Sequence, residues 1–138
     1  MNVVNNNNDF KDSVYATGRR KKSIAKVWLK KGTGNISING KIYSDYFKRS
    51  NHKSQIFRPF EIIEQTTSYD VRCSVKGGGH SGQVGAMIHG ISKALLQLDS
   101  TLKPILKKEK LTTRDSRSVE RKKYGHRKAR RSFQFSKR

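Results

Sequence analysis

The last 36 residues of this chain set the limits on its fold. Residues 103–138 hold 15 Lys+Arg against 3 Asp+Glu, a net +12, and from residue 112 onward the apolar side chains are only Val119, Tyr124, Ala129, Phe133 and Phe135. Fixing a residue's backbone costs roughly 1–2 kcal/mol, which five scattered hydrophobes cannot offset over such a length. The segment is expected to have no fold of its own in free solution and to order against a partner that screens its charge. Any core must come from the residues before it. These add a further +9, giving +21 for 138 residues of which 33% are hydrophobic, enough for one domain and not for two. Self-repulsion on that scale calls for a polyanionic partner. The expected organisation is a lead at 1–12, an α/β domain at 13–108 and a basic tail at 109–138.

Several function classes fall away. A single cysteine, Cys73, excludes an intramolecular disulfide framework and fits a reducing compartment. Apolar runs are a few residues long, far short of the roughly 20 that cross a bilayer. Met1 to Phe10 contains four consecutive Asn and no Lys or Arg, unlike an Arg-rich presequence, and no apolar segment follows to make a secretory signal. It reads as a disordered lead.

The folded part alternates in places. Ala25, Val27 and Leu29 fall on one side of a strand over 24–31, and Asn35 to Ile38 resumes the alternation after Gly32-Thr33-Gly34; a β-hairpin is expected there. Ile42, Tyr43, Tyr46 and Phe47 are spaced for a short helix, and Pro59 is expected at the first position of another over 59–66. Val71, Cys73 and Val75 mark a further strand over 69–76. Val84, Ile88, Ile91, Leu95 and Leu98 then make one stripe of a long amphipathic helix. Gly82, Gly85 and Gly90 each cost roughly 1 kcal/mol against Ala inside it, which is tolerable where another backbone approaches closely. A last short helix is expected over 101–108, and no strand after it.

Gly77-Gly78-Gly79-His80-Ser81-Gly82 matches G-x-G-x-x-G between strand and helix, the dinucleotide fingerprint on pattern alone. A Rossmann unit needs a parallel strand after the helix, and residues 99–138 offer none; a Walker loop needs Lys-Ser/Thr where Gln83-Val84 stand. The physics of the loop survives, since glycines expose N–H groups and the helix start adds a positive dipole end, which suits a phosphate. A tight turn that binds nothing is the plain alternative. Arg19, Arg20, Lys21 and Lys22 form a run of cations suited to neutralising a nucleic-acid backbone or simply to a solvated surface. In the tail, Arg114, Arg117, Arg121, Lys122, Lys123, Arg127, Lys128, Arg130, Arg131, Lys137 and Arg138 recur at short intervals. Arg donates two parallel hydrogen bonds to phosphate, and Tyr124, Phe133 and Phe135 could stack on unpaired bases. Extended at about 3.3 Å per residue, the stretch from Arg114 could reach roughly 80 Å.

Catalysis finds little support. His52, His80, His89 and His126 have no metal-ligand spacing with one another or with Cys73, no carboxylate pair is recognisable, and Ser81 lacks the Gly at 83 that G-x-S-x-G requires. No cofactor, metal or small-molecule substrate is expected. Two rival classes remain on the page: an enzyme holding a nucleotide on the glycine loop, and a DNA-compacting or regulatory module.

Three stretches carry a resemblance: Ala16 to Lys21, Gly77 to Leu95, and Leu111 to Arg138 with its Gln134-Phe135-Ser136-Lys137-Arg138 ending. Together they make the chain similar to the ninth protein of the small ribosomal subunit, in its bacterial or organellar form, from about Tyr15 to the last residue. The resemblance implies a two-layer α/β sandwich, mostly antiparallel, with helices on one face and a left-handed βαβ crossover. It implies a non-enzymatic place in the small-subunit head, on rRNA and beside other head proteins, in the cytoplasm or in an organelle's matrix or stroma, without membrane contact. It implies rRNA contacts at Arg19 to Lys22, at Lys76, Gly77, Gly78, Gly79 and His80, and along the tail including Tyr124. Ser136, Lys137 and Arg138 would reach the P-site tRNA anticodon loop. The Asn-rich lead, Thr112-Thr113, and Ser132-Phe133 in place of a frequent Ala-Pro depart from the pattern; Phe133 lacks the stiffness of Pro.

Overall fold

The structure, a computed structural model, describes residues 10–64 and 68–137. Most of the lead expected at 1–12, the end of the helix expected over 59–66, and Arg138 lie outside the described residues. Five strands, β1 (Val14–Arg20), β2 (Ser23–Lys31), β3 (Ile36–Ile38), β4 (Lys41–Ile42) and β5 (Tyr69–Lys76), form one sheet in the order β1-β2-β5-β3-β4. Helices α1 (Tyr43–Tyr46), α2 (Ser50–Ile62), α3 (His80–Leu98) and α4 (Lys103–Lys108) complete the chain, with a 3-10 turn at Ser100–Leu102. The helices lie on one side of the sheet, as the resemblance implies.

Alternation decides which face is covered. Ala25, Val27 and Leu29 on β2 and Val71, Cys73 and Val75 on β5 are buried against α3, whose Val84, Met87, Ile91, Ala94 and Leu95 are buried in turn. The stripe read from sequence is rotated slightly: Ile88 is only partly covered, and Leu98 is 40% exposed. The glycines are where backbones meet. A Cβ on Gly90 would lie 2.6 Å from Val27 Cγ2 and 3.1 Å from the Gly18 nitrogen, and one on Gly18 would collide with the Ala86 carbonyl. Contact this close between β1 and α3 is what the interior glycines permit.

Two expectations are corrected. Residues 24–38 do not form a hairpin: β2 pairs antiparallel with β1 and β5, while β3 runs parallel to β5, Ile36 opposite Val71 and Ile38 opposite Cys73. Asp70 redirects the chain. Its Oδ1 accepts the backbone N–H groups of Thr33 and Asn35, each at 2.9 Å, and so carries the loop after β2 over the start of β5. Burial pushes the Asp70 carboxyl upward, but the N–H groups of Asn35, Thr33 and Gly34 with nearby Lys30 bring it below the usual carboxylate range. The hairpins lie elsewhere. Lys21-Lys22 turns β1 into β2, and Asn39-Gly40, both at positive φ, turns β3 into β4, as Asn-Gly favours.

Pro59 is the second correction. It does not open a helix but lies inside α2, buried between Ile56 and Phe60. Its missing N–H forfeits one helical bond, at a cost of about 3 kcal/mol. Burial on the stripe His52, Ile56, Pro59, Phe60 and Ile63 offsets this, and Phe60 stacks on Tyr69 with centroids 6.1 Å apart.

The sheet edge at β1 is capped by α3. Lys93 Nζ donates to the Thr17 carbonyl at 3.2 Å, and the Arg19 N–H donates to His89 Nδ1 at 3.2 Å. An edge whose polar groups are taken up this way resists adding another strand. Leu111 closes the core after α4; beyond it the described residues form no helix or strand, only an isolated bridge between His126 and Ser132.

Candidate nucleic-acid interface

The β1–β2 turn, the α1–α2 link and the start of α3 converge on a cleft of about 580 Å³. Lys21 and Lys22 come from the first, Lys48 and Arg49 from the second, and Gly78 to Gly82 from the third, while Ser118 and Val119 of the tail close one side. Among the described residues none of the four cations has a carboxylate within ion-pair distance. The first N–H groups of a helix have no intrahelical acceptor, so α3 points donors and a positive dipole end into this basic cleft.

The glycine loop is held from below. Gly77 and Gly78 have φ of +74° and +61°, a left-handed path that favours glycine. Ser23 Oγ and Gln83 Nε2 both donate to the Gly77 carbonyl, at 3.0 and 3.2 Å, and Tyr46 OH donates to Gln83 Oε1 at 3.0 Å. With that carbonyl turned to the body, the loop presents donors outward. His52, buried, shares a hydrogen bond of 3.2 Å with Ser81 Oγ, while Phe47 sets its ring edge-on to both His52 and His80. These contacts fix the floor of the cleft.

The residues singled out in the sequence divide three ways. Lys21, Lys22, Gly78, Gly79 and His80 line the cleft, and Gly77 and exposed Lys76 lie beside it. Arg20 faces the other way: its guanidinium pairs with Asp115 at 3.0 Å and donates to the Arg117 carbonyl at 2.6 Å, tying down the tail's root. Arg19 is exposed, with its backbone given to His89. Asp115 also pairs with Arg117 at 2.8 Å, and the Arg117 side chain and N–H, with Arg20 adding, hold its carboxyl well below the usual range.

Farther out, Glu120 takes Lys123 and Arg130, Arg127 sits 5.3 Å over the Phe133 ring, and Arg127 N–H bonds the Arg131 carbonyl at 2.7 Å. Arg114, Arg121, Lys122, Arg127, Lys128, Arg131 and Lys137 have no ion pair among the described residues. Tyr124 and Phe135 are 93% and 87% exposed, and Ser136 and Lys137 stand at the open tip. The tail keeps more positive charge than its few carboxylates can match.

Sequence reasoning missed Lys48-Arg49 and the Asp115 tie. The first lies in a stretch without periodicity, and the second joins residues 95 positions apart. His89 carries no such signal either: it accepts the Arg19 N–H, and burial, with Lys93 adding, lowers its pKa below the usual histidine value. Burial pushes the Cys73 thiol up, away from nucleophilic use. Among the described residues no His/Cys/Asp/Glu group is arranged for a metal, and no helix is long and apolar enough to cross a membrane.

Comparison with known proteins adds to this geometry. The profile of the family described as ribosomal protein S9/S16 matches residues 18–138. The small ribosomal subunit protein uS9 of Rickettsia prowazekii (strain Madrid E) is 54% identical over 130 residues, covering 94% of this chain and 81% of that protein. The uS9 of Rickettsia typhi (strain ATCC VR-144 / Wilmington) is 53% identical with the same coverage.

Proposed function

From the premise that the chain belongs to the ribosomal protein S9/S16 family, a structural and non-enzymatic family of the small ribosomal subunit, we propose that it binds small-subunit rRNA through two connected surfaces. One is the basic cleft at the start of α3, which takes backbone phosphates on Lys21, Lys22, Lys48, Arg49 and the loop N–H groups. The other is the tail from 109 onward, directed by Arg20–Asp115 away from the body formed by 13–108. The observation that carries this reading is the convergence of three sequence-distant cation and donor groups on one cleft whose cations have no ion-paired carboxylate among the described residues.

The finer reading places the tail tip in the P site, with Ser136, Lys137 and Arg138 against the anticodon loop of tRNA, and the body beside neighbouring head proteins. It is supported by the open, unpaired tip and by the match of the chain's ending to the resemblance described above.

The test is a salt series of filter binding between the full chain and small-subunit rRNA. Neutralising 6–10 phosphates implies a loss of roughly 10³–10⁵ in affinity between 50 and 200 mM salt. A nearly flat response would overturn the electrostatic reading. Migration with chromosomal DNA rather than with the small subunit through a high-salt wash would overturn the ribosomal one.

A further inference from the structure

The sheet has a second face, turned away from the helices. There the register sets Tyr15 of β1 opposite Trp28 of β2, and Trp28 opposite Arg72 of β5. The two rings lie 5.3 Å apart at 46°, and the Arg72 guanidinium sits 5.9 Å over the Trp28 ring. Tyr15 is 45% exposed, and on the same face Lys26 stands exposed two residues from Trp28 while exposed Lys76 lies farther along, at the end of β5 opposite Ile24. Asp70 is the one carboxylate on any of the five strands, and its Oδ1 is taken up by loop N–H groups.

We propose that this face is a separate site for unpaired RNA nucleotides, with a base stacked against Tyr15 and Trp28 and its flanking phosphates on Lys26 and Lys76. The inference rests on the reading of the chain as an rRNA-binding protein and adds the sheet face centred on Tyr15 and Trp28, of which Lys76 alone also borders the cleft. Charge argues for a polyanion, because the strands of this face carry several cations against the single carboxylate of Asp70, whose Oδ1 already accepts loop N–H groups. The aromatic pair argues for bases as well as phosphates, since a ring face attracts any base and gives bare phosphate nothing to stack on. Duplex RNA, whose bases are stacked inside, would gain only the charge.

Trp28 is the only tryptophan, so its emission reports on this face alone. The full chain is titrated with a short oligouridylate, with a duplex of equal length, and with inorganic polyphosphate. Oligouridylate is expected to quench Trp28, while duplex and polyphosphate bind without quenching. Tyr15→Leu is expected to weaken the quenching interaction about tenfold and leave polyphosphate affinity unchanged. Lys26→Gln with Lys76→Gln, both at exposed positions, gives a second measure that does not disturb the rings. Saturable RNA binding with unmoved Trp28 emission, or equal quenching by polyphosphate, overturns this site and leaves the cleft and tail standing. Photo-crosslinking of Tyr15 or Trp28 to a neighbouring protein or a second copy in assembled subunits also overturns it. Failure of all RNA to bind overturns the proposed function together with it.

Discussion

Arg20 Nη2 lies 3.0 Å from Asp115 Oδ2, joining the end of the first strand to the root of the tail. The same guanidinium donates to the Arg117 carbonyl, and its Cγ rests where a Cβ on Gly85 would sit 2.9 Å away. One cation of the sequence run is thereby withdrawn from the solvent-facing set and used to aim the others. The contribution of such a partly exposed pair to global stability is small. Its effect is on direction.

Asp115→Asn should therefore speed tryptic cleavage in the 114–123 segment severalfold while leaving the melting temperature nearly unchanged. The pH dependence follows from the lowered carboxyl. A group whose folded pKa is depressed keeps its contribution above the unfolded value, about 3.9, and loses it as pH falls through the folded value. Tail protection in the native chain should hold from neutrality to about pH 4 and fade only below; fading already at pH 5–6 would show that Asp115 is not the tie.

The interior glycines of α3 separate two effects. Gly90→Ala gains about 1 kcal/mol of helix propensity but drives a Cβ to 2.6 Å from Val27 Cγ2 and 3.1 Å from the Gly18 nitrogen, and overpacking of this kind costs about 1–3 kcal/mol or more. Backbone cannot retreat, so a net loss in urea denaturation is expected. Gly85→Ala meets only the flexible Arg20 side chain, at 2.9 Å to Cγ and 3.3 Å to Cβ. It should leave the fold intact and loosen the tail's root, read as faster tail proteolysis.

Period explains what the sequence reveals of this fold. β2, β5 and α3 are legible because burial repeats every second residue on the strands and every three to four on the helix. The G-x-G-x-x-G loop and the Lys21-Lys22 pair are legible as phosphate-suited chemistry. β1 is hidden because Gly18 and its cations break the alternation, although Ala16 and Gly18 face α3. The hairpin expected after β2 fails because strand partnership is set by a side chain 35 residues away, Asp70 capping Asn35. Lys48 and Arg49 enter the cleft only once α1 and α2 are folded, and nothing in their local pattern marks them.

Lys48→Gln with Arg49→Gln tests the cleft against the tail. Both side chains are exposed and without an ion pair among the described residues, so the melting temperature should not fall. If each neutralises one phosphate, the slope of log affinity against log salt should shrink by about 1.4–1.8 in total, at about 0.7–0.9 per contact. An unchanged slope would remove these two residues from the RNA surface.

His89 gives a second pH effect, of opposite chemistry. Burial lowers its pKa below the usual 6.5, and the neutral ring accepts from Arg19 at Nδ1. Stability from a neutral, half-buried histidine is complete above the unfolded value and declines as pH falls from there through the lowered folded value, because the unfolded chain takes up the proton first. Urea stability of the native chain should therefore begin to drop as pH falls below about 6.5, and His89→Gln should flatten that drop. An identical pH profile in the variant would show that His89 is not the source of the slope.

The tRNA contact proposed for the tail tip can be tested apart from assembly. Ser136 and Lys137 are exposed and have no hydrogen bond or ion pair to the body among the described residues, and neither belongs to the core, the cleft or the Arg20–Asp115 tie. On the proposed reading, two cations would add only screened attraction to an anticodon loop held as well by codon pairing and rRNA, an effect of about a few-fold on retention rather than a switch. Subunits carrying the truncated chain should form at normal yield, with faster P-site tRNA dissociation and more frameshifting at low magnesium. Substituting both by Gln should reproduce the loss, and Lys137→Arg, which keeps both charges, should not, which ties the effect to charge rather than to chain length. Equal dissociation rates for full-length and truncated subunits would detach the tip from tRNA and leave the rRNA surfaces as the chain's whole contribution.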